Sequence, residues 1–365
     1  MLYCDRCWLV QTRDFAAADS LFTSDYAYFS SMSASWLDHA ARYAAEMTAR
    51  FGIGSDSRVI EVASNDGYLL KNFKAAGIAC LGIEPTTTVA EAARTLGIDT
   101  REVFFGVDTA RALAEEGLTA DLMAANNVLA HVPDINDFVA GFRILLNRDG
   151  VATFEFPHLL NLVRLHQFDT IYHEHFSYLS LLAVERVLKA QGLAVFDVEH
   201  LPTHGGSLRL FVQHAAGPHA ETAALVDLRT EEAAAGMATH AFYEGFQGVA
   251  ETMKDNLLRF LLEARAAGKS VAAYGAAAKG NTFLNFAGVR PDLVHYVVDR
   301  SPAKLGRYMP GSRIPIRPEA KIRETRPDYM LILPWNLRGE LVGQLSYIRN
   351  WGGQFVVAVP DLEVF

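Results

Sequence analysis

From Ser57 onward the chain alternates short apolar runs with turn residues and helix-length stretches, and this rhythm restricts the fold more than any other feature. Arg58-Val59-Ile60-Glu61-Val62-Ala63 is a buried strand running into Ser64-Asn65-Asp66-Gly67-Tyr68 and an apolar helix. Ala79 to Pro85 is a second strand closing on Glu84, with a helix through Leu96 behind it, and Arg101 to Phe105 is a third. Ala120 to Val128 is a fourth and Gly150 to Phe156 a fifth. Strands alternating with helices at this spacing make a parallel, doubly wound α/β sheet whose ligands lie over its carboxyl edge.

The end of this series narrows the class. Leu181 to Gln191 reads as a helix closed by Gly192, and two strands follow closely, Ala194 to His200 and Ser207 to Gln213, around Thr203-His204-Gly205-Gly206. Five parallel βα units followed by an antiparallel hairpin are the order of class I methyltransferases, and dinucleotide Rossmann folds seldom end so. The loop after the first strand agrees: its small residues and single Gly67 let backbone approach the charged amino-acid end of a ligand, and it is not G-x-G-x-x-G. Glu84 is placed to accept from both ribose hydroxyls, as an acid there also does for NAD. The loop tilts the choice to S-adenosylmethionine.

The stretch Phe168 to Tyr178 follows the fifth strand and therefore lies at the carboxyl edge. In eleven residues it gathers two imidazoles, two carboxylates and two phenols among apolar side chains. A partly desolvated imidazole takes or gives a proton near neutral pH. His131, after the fourth strand, converges on the same edge.

Outside this region, Cys4-Asp5-Arg6-Cys7 looks like half of a zinc ribbon, but no second pair follows and Cys80 belongs to a strand. Two thiolates alone rarely hold structural zinc. The expectation is a remnant, or a chain that starts late. Ser24 to Ser31 is an aromatic, hydroxyl-rich segment, and a helical pattern runs from Ser35 to Phe51. A helix-prone run from Thr230 to Gly268 leads to a second α/β unit. There Ser270 to Tyr274 feeds Gly275-Ala276-Ala277-Ala278-Lys279-Gly280-Asn281-Thr282, a phosphate-compatible helix start that lacks Walker spacing. Further strands are Val294 to Asp299, Asp328 to Leu333 ending in Pro334-Trp335-Asn336, and Gln354 to Pro360. Trp335 either stacks on a base or sugar or packs in the core.

Composition sets the outer bounds. A chain of 365 residues is long enough for two domains. A formal net charge of -9 argues against broad nucleic-acid binding. No apolar run approaches the roughly 20 residues that span a bilayer, so no membrane role is expected. Three cysteines argue against a disulfide framework and for a reducing cytoplasm.

Five motifs together carry a family resemblance: Glu61 to Leu69, Asn126-Asn127-Val128-Leu129-Ala130-His131-Val132, Tyr172-His173-Glu174-His175, His204 to Arg209, and Tyr274 to Thr282. In this order, over nearly the whole chain, they resemble the sugar C-methyltransferases of antibiotic biosynthesis, with C-3'-methyltransferases of dTDP-deoxysugars the most similar kind. The resemblance implies a truncated zinc module and aromatic segment over residues 1–34, an S-adenosylmethionine domain over 35–229, and a nucleotide-sugar domain over 230–365. Cofactor contacts then fall to Glu61, Ala63, Asn65, Gly67, Glu84, Asn126, Asn127 and Val128. His175 is carried over as general base, with Tyr172, Glu174, His131 and Tyr26 beside it and His173 a structural neighbour. Lys279, Asn281 and Thr282, with Trp335 and Asn336, face a dTDP-linked keto-deoxysugar. The family's zinc module uses two cysteine pairs, and Cys4 and Cys7 are an incomplete set. The implied reaction is methylation of a carbon next to a ketone through an enolate. The alternatives are an NAD-dependent nucleotide-sugar oxidoreductase or epimerase, and a non-catalytic interaction protein on the same fold.

Overall fold

Helix α1, Ala34–Phe51, starts where the Ser33 hydroxyl accepts the Trp36 N–H and stops at Gly52, whose φ is 63°. His39, Ala40, Tyr43, Ala44 and Met47 recur at helical spacing and form its buried stripe. The computed structural model describes residues 1–13 and 29–365; Tyr26 and most of its aromatic segment lie outside the described residues.

The chain divides into two compact units. The first comprises Met1–Leu159, His173–Pro202 and Gly206–Phe242, and the second Leu160–Tyr172, Thr203–Gly205 and Tyr243–Phe365. This division differs from the expected boundaries in two ways. The described N-terminal residues belong to the first unit, with no body of their own, and the second unit begins past residue 242 while also taking two earlier segments.

The first unit is built on a seven-stranded sheet. Its strands are β1 (Arg58–Val62), β2 (Ala79–Ile83), β3 (Asp99–Arg101), β4 (Ala120–Asn126), β5 (Leu146–Pro157), β6 (Leu193–Leu201) and β7 (Ser207–His214), in the order β3-β2-β1-β4-β5-β7-β6. The first five run parallel, and β7 is antiparallel to both β5 and β6. Helices such as α2 (Leu181–Ala190) and α3 (Ala223–Ala234) pack their apolar stripes on this sheet. β4 is apolar almost throughout because a central parallel strand is covered on both faces. The strand expected at Arg101 to Phe105 forms earlier, as β3. Val103 and Phe104 are exposed, and only Phe105 turns inward, edge-on to Phe138 and Phe142.

Two features were not expected. Leu2–Tyr3 and Val10–Gln11 form an antiparallel sheet with Ser177–Tyr178, so the N-terminus pairs directly with the end of the His-rich stretch. Beneath the sheet's carboxyl edge lies a buried polar network. Glu155 accepts from Arg209 Nε at 2.7 Å, and its other oxygen lies 2.8 Å from His39 Nε2. Burial alone would raise the Glu155 carboxyl, but the His39 hydrogen bond and the Arg209 charge hold it below its ordinary value.

The second unit has a six-stranded sheet: β8 (Val271–Tyr274), β9 (Val297–Val298), β10 (Ile316–Arg317), β11 (Tyr329–Ile332), β12 (Gln354–Val357) and β13 (Glu363–Val364), ordered β10-β9-β8-β11-β12-β13. All pairings are parallel except that of β13. The single helical run expected from Thr230 to Gly268 is broken at Gly236 and Gly245, both at positive φ. Its last segment is α4 (Phe246–Ala266). Helix α5 (Ala278–Phe286) follows β8.

Candidate active site

The loop after β1 is tightly turned. Ala63, Asn65 and Gly67 all have positive φ, at 56°, 49° and 78°. Such local strain persists only where the surroundings enforce it. The positive φ of Gly67 favours glycine, and a Cβ there would press on the terminal Cδ1 of Ile98, which can shift. The Asn65 N–H donates to Glu84 Oε2 at 3.0 Å and the Thr86 N–H to Glu84 Oε1 at 2.9 Å. Glu84, expected to face ribose hydroxyls, thus also ties the ends of β1 and β2 together. Burial raises its carboxyl, opposed by the Thr86 and Asn65 hydrogen bonds. Burial pushes Glu61 well up, opposed by a hydrogen bond from Tyr68.

The short turn before α1, Ser30–Met32, closes over this loop, which sequence reasoning missed. The Ser30 N–H donates to Asn65 Oδ1 at 2.8 Å and the Ser31 N–H to Asp66 Oδ2 at 3.1 Å. At the end of β4, the side-chain amides of Asn126 and Asn127 have no hydrogen-bond partner among the described residues. Asn127 also has a positive φ, at 55°. Buried amides in this condition are costly unless a ligand satisfies them. Val128 is half-buried against the core.

The next turn, Leu129–His131, meets the His-rich stretch. The His131 and His175 rings sit 4.7 Å apart at 75°, edge to face, and the His175 and Tyr178 rings 5.9 Å apart at 73°. The Phe176 N–H donates to Ala130 O at 2.8 Å and fixes the two segments side by side. His175 is buried whereas His173 is exposed. Burial pushes the His131 imidazole down to about 4, with a hydrogen bond to the Glu174 backbone opposing, so His131 is neutral at physiological pH. Burial raises the Glu174 carboxyl against the nearby His173 charge. Tyr172 is half-buried and falls in the second unit.

Within the second unit three of the expected substrate residues come together. Lys279 Nζ donates to Asn336 Oδ1 at 3.0 Å and lies 4.4 Å from the Trp335 ring centroid. The Trp335 indole N–H donates to Asp169 Oδ2 at 2.8 Å, while Asp169 Oδ1 is buried with no partner among the described residues. Burial pushes Asp169 up to about 6, with the Lys279 charge and the Trp335 bond opposing. Burial pushes Lys279 down to about 8, with Asp169 opposing. Thr282 Oγ1 donates to Ile171 O at 3.4 Å, and Asn281 Oδ1 is a buried acceptor with no partner among the described residues. Asp169 was visible in sequence only as one acid among several. At the end of β9, Asp299 accepts from the Ala276 and Ser301 N–H groups at 2.9 and 2.8 Å, as Glu84 does in the first unit.

At the N-terminus, hydrogen bonds from the Cys7 and Arg6 backbone lower the Cys4 thiol, and burial raises that of Cys7. Among the described residues no group of three or more His, Cys, Asp or Glu is arranged to hold a metal. Two thiols do not make a tetrahedral zinc set.

A family model described as a methyltransferase domain matches residues 36–198, and one described as a C-methyltransferase C-terminal domain matches residues 202–360. The C-methyltransferase NovU of Streptomyces niveus is 33% identical over 364 residues, spanning 100% of this chain and 86% of that protein. The chain belongs to the C-methyltransferase family. It is an S-adenosylmethionine-dependent C-methyltransferase with the class I α/β fold. Among solved structures, magnesium protoporphyrin IX methyltransferase from Synechocystis PCC 6803 is 14% identical, covering 48% of this chain and 78% of that one with a TM-score of 0.37. A methyltransferase from Clostridium acetobutylicum is 10% identical, covering 50% of this chain and 92% of that one with a TM-score of 0.39. Both are too distant to carry weight. The residues fit the methyl donor: amides on Asn126 and Asn127 without partners among the described residues, a buried acid at Glu84 and the turned loop at Ala63 to Gly67 lie along one sheet edge.

Proposed function

We propose that the enzyme methylates a carbon adjacent to the ketone of a dTDP-linked keto-deoxysugar, at C-3', through a base-generated enolate. The observation that carries this reading is the edge-to-face pair of His131 and His175 at the carboxyl edge of the sheet. A ketone acidifies the neighbouring C–H, and His175 takes that proton. His131, held neutral by burial, gives its single N–H to the Glu174 backbone and adds no positive charge that would repel a protonated His175. Tyr172 is the phenol that donates to the developing enolate oxygen, and Glu174 orients an imidazole or binds a sugar substituent. Glu61, Ala63, Asn65, Gly67, Glu84, Asn126, Asn127 and Val128 hold S-adenosylmethionine, which when bound supplies the electrophilic methyl group that the enolate carbon takes. Lys279, Trp335 and Asn336, with Asn281 and Thr282, take the nucleotide sugar. Positioned base catalysis contributes about 10²- to 10⁴-fold.

Only three cysteines, too few for a disulfide framework, favour a reducing, cytoplasmic setting; separately, no described helix is long and apolar enough to cross a membrane. The test is methyl transfer from S-adenosylmethionine to dTDP-4-keto-6-deoxysugars, with product analysis by NMR to locate the new carbon. Methylation of an oxygen, or of a carbon remote from the ketone, refutes the reading. A thermal shift with NAD and none with S-adenosylhomocysteine would favour the oxidoreductase alternative.

A further inference from the structure

Thr12 lies outside both matched family regions and in none of the motifs, yet it makes two contacts to the residues around His175. Its Oγ1 donates to His175 O at 2.9 Å, and its backbone N–H donates to Phe176 O at 3.1 Å. We infer that Thr12 is a positioning residue that sets His175 for proton abstraction, so that the N-terminal strand is part of the catalytic apparatus. The inference rests on the reading of His175 as the base.

The geometry separates what the strand does from what the hydroxyl adds. Val10 pairs with Tyr178 and Gln11 with Ser177, and the Thr12 N–H carries this ladder on to Phe176. Any residue at position 12 supplies that N–H except proline. The bond to His175 O comes from the side chain, so a hydroxyl is needed there. On the far side of the same peptide, the Phe176 N–H is held by Ala130 O at 2.8 Å, one residue from His131. The backbone between His175 and Phe176 is therefore gripped from two directions, by Thr12 and by the turn that carries His131. That grip fixes the two rings at 4.7 Å and 75°.

The strand is itself well anchored. Leu9 and Val10 are buried, with Leu9 in the core of the first unit, and the turn before them is closed by the Trp8 N–H on Cys4 O at 2.8 Å and the Cys4 N–H on Leu9 O at 3.0 Å. A rigid support of this kind suits a residue that acts through another, because a displacement of about 1 Å at a reacting group can cost about 10²-fold in rate.

The test compares Thr12→Val, which keeps the branched shape and the backbone N–H, with Thr12→Ser, which keeps the hydroxyl. It uses the full chain, a dTDP-4-keto-6-deoxysugar in deuterated buffer, and S-adenosylhomocysteine binding by calorimetry. Thr12→Val should lower kcat and the exchange of the proton beside the ketone together by about 10- to 100-fold, with KM and S-adenosylhomocysteine affinity within about twofold. Thr12→Ser should recover both rates to within about threefold. If Thr12→Val proves unstable, Thr12→Ala carries the same comparison with Thr12→Ser. Wild-type kcat and exchange in Thr12→Val, beside an inactive His175→Asn, overturn the positioning role alone. Parallel loss of cofactor affinity and rate, or no rescue by serine, reduces Thr12 to a structural residue and also overturns it. An active His175→Asn instead overturns the assignment of the base.

Discussion

Asp169 offers the sharpest physical test of the second unit. It is 1% exposed, one oxygen is bound to the Trp335 indole and the other has no partner among the described residues. Burial lifts its pKa from 3.8 to about 6. The folded chain therefore binds this proton more tightly than the unfolded chain does. Below the unfolded value both states are protonated and there is no penalty. Between there and about 6 the penalty for burying the charge grows, and above about 6 it is complete. A shift of this size corresponds to about 3 kcal/mol. Asp169→Asn is neutral at every pH and keeps an oxygen for the indole N–H. Its unpaired amide adds a constant cost that does not change with pH. The difference in unfolding free energy between variant and wild type should therefore move by about 2.5 kcal/mol in the variant's favour as pH rises from 4 to 7.5. The measurement is urea unfolding at intervals across that range, followed by tryptophan fluorescence, to which Trp335 contributes. Other groups that titrate there are shared by both proteins and cancel. Lys279, pushed down to about 8 by burial, contributes mainly above the window. A flat difference, or one that moves in favour of wild type, refutes the argument from burial.

Three further outcomes follow from the first unit. Gly67→Ala must adopt a φ of 78° and push back the Ile98 Cδ1 methyl, and should cost about 1–2 kcal/mol in urea unfolding while weakening S-adenosylhomocysteine binding. Asn126→Ala and Asn127→Ala remove amides that bond to nothing among the described residues, so each should lower S-adenosylhomocysteine affinity about tenfold by calorimetry with little loss of stability in the ligand-free enzyme. Arg209→Met leaves the fully buried Glu155 without its guanidinium and should destabilise by about 3–5 kcal/mol in denaturant titration.

What the sequence made legible was whatever repeats with a short period or sits in a compact motif. The parallel strands show as apolar runs ending on turn residues, and Gly67 and the acid at Glu84 mark the carboxyl edge from their place in that rhythm. The misreadings have local causes. Val103 and Phe104 look like strand residues but lie exposed in a loop, because β3 is a short edge strand that needs only Asp99 to Arg101. Gly236 and Gly245 broke a run whose composition alone favours one long helix. The longer misses are all non-local. Nothing near Thr12 signals that it reaches His175, nothing near Ser30 that it caps Asn65, and nothing near Asp169 that it holds Trp335, 166 residues away. Such pairings arise from the way the chain returns on itself, and no local pattern encodes them.

The central claim is that His175 removes the proton beside the ketone. It is tested most directly with His175→Asn in deuterated buffer, following both methyl transfer and deuterium uptake at that carbon of a dTDP-4-keto-6-deoxysugar. The account predicts that both fall together by about 10²- to 10⁴-fold while S-adenosylhomocysteine affinity is unchanged. Deuterium uptake and methylation near the wild-type rates would contradict it.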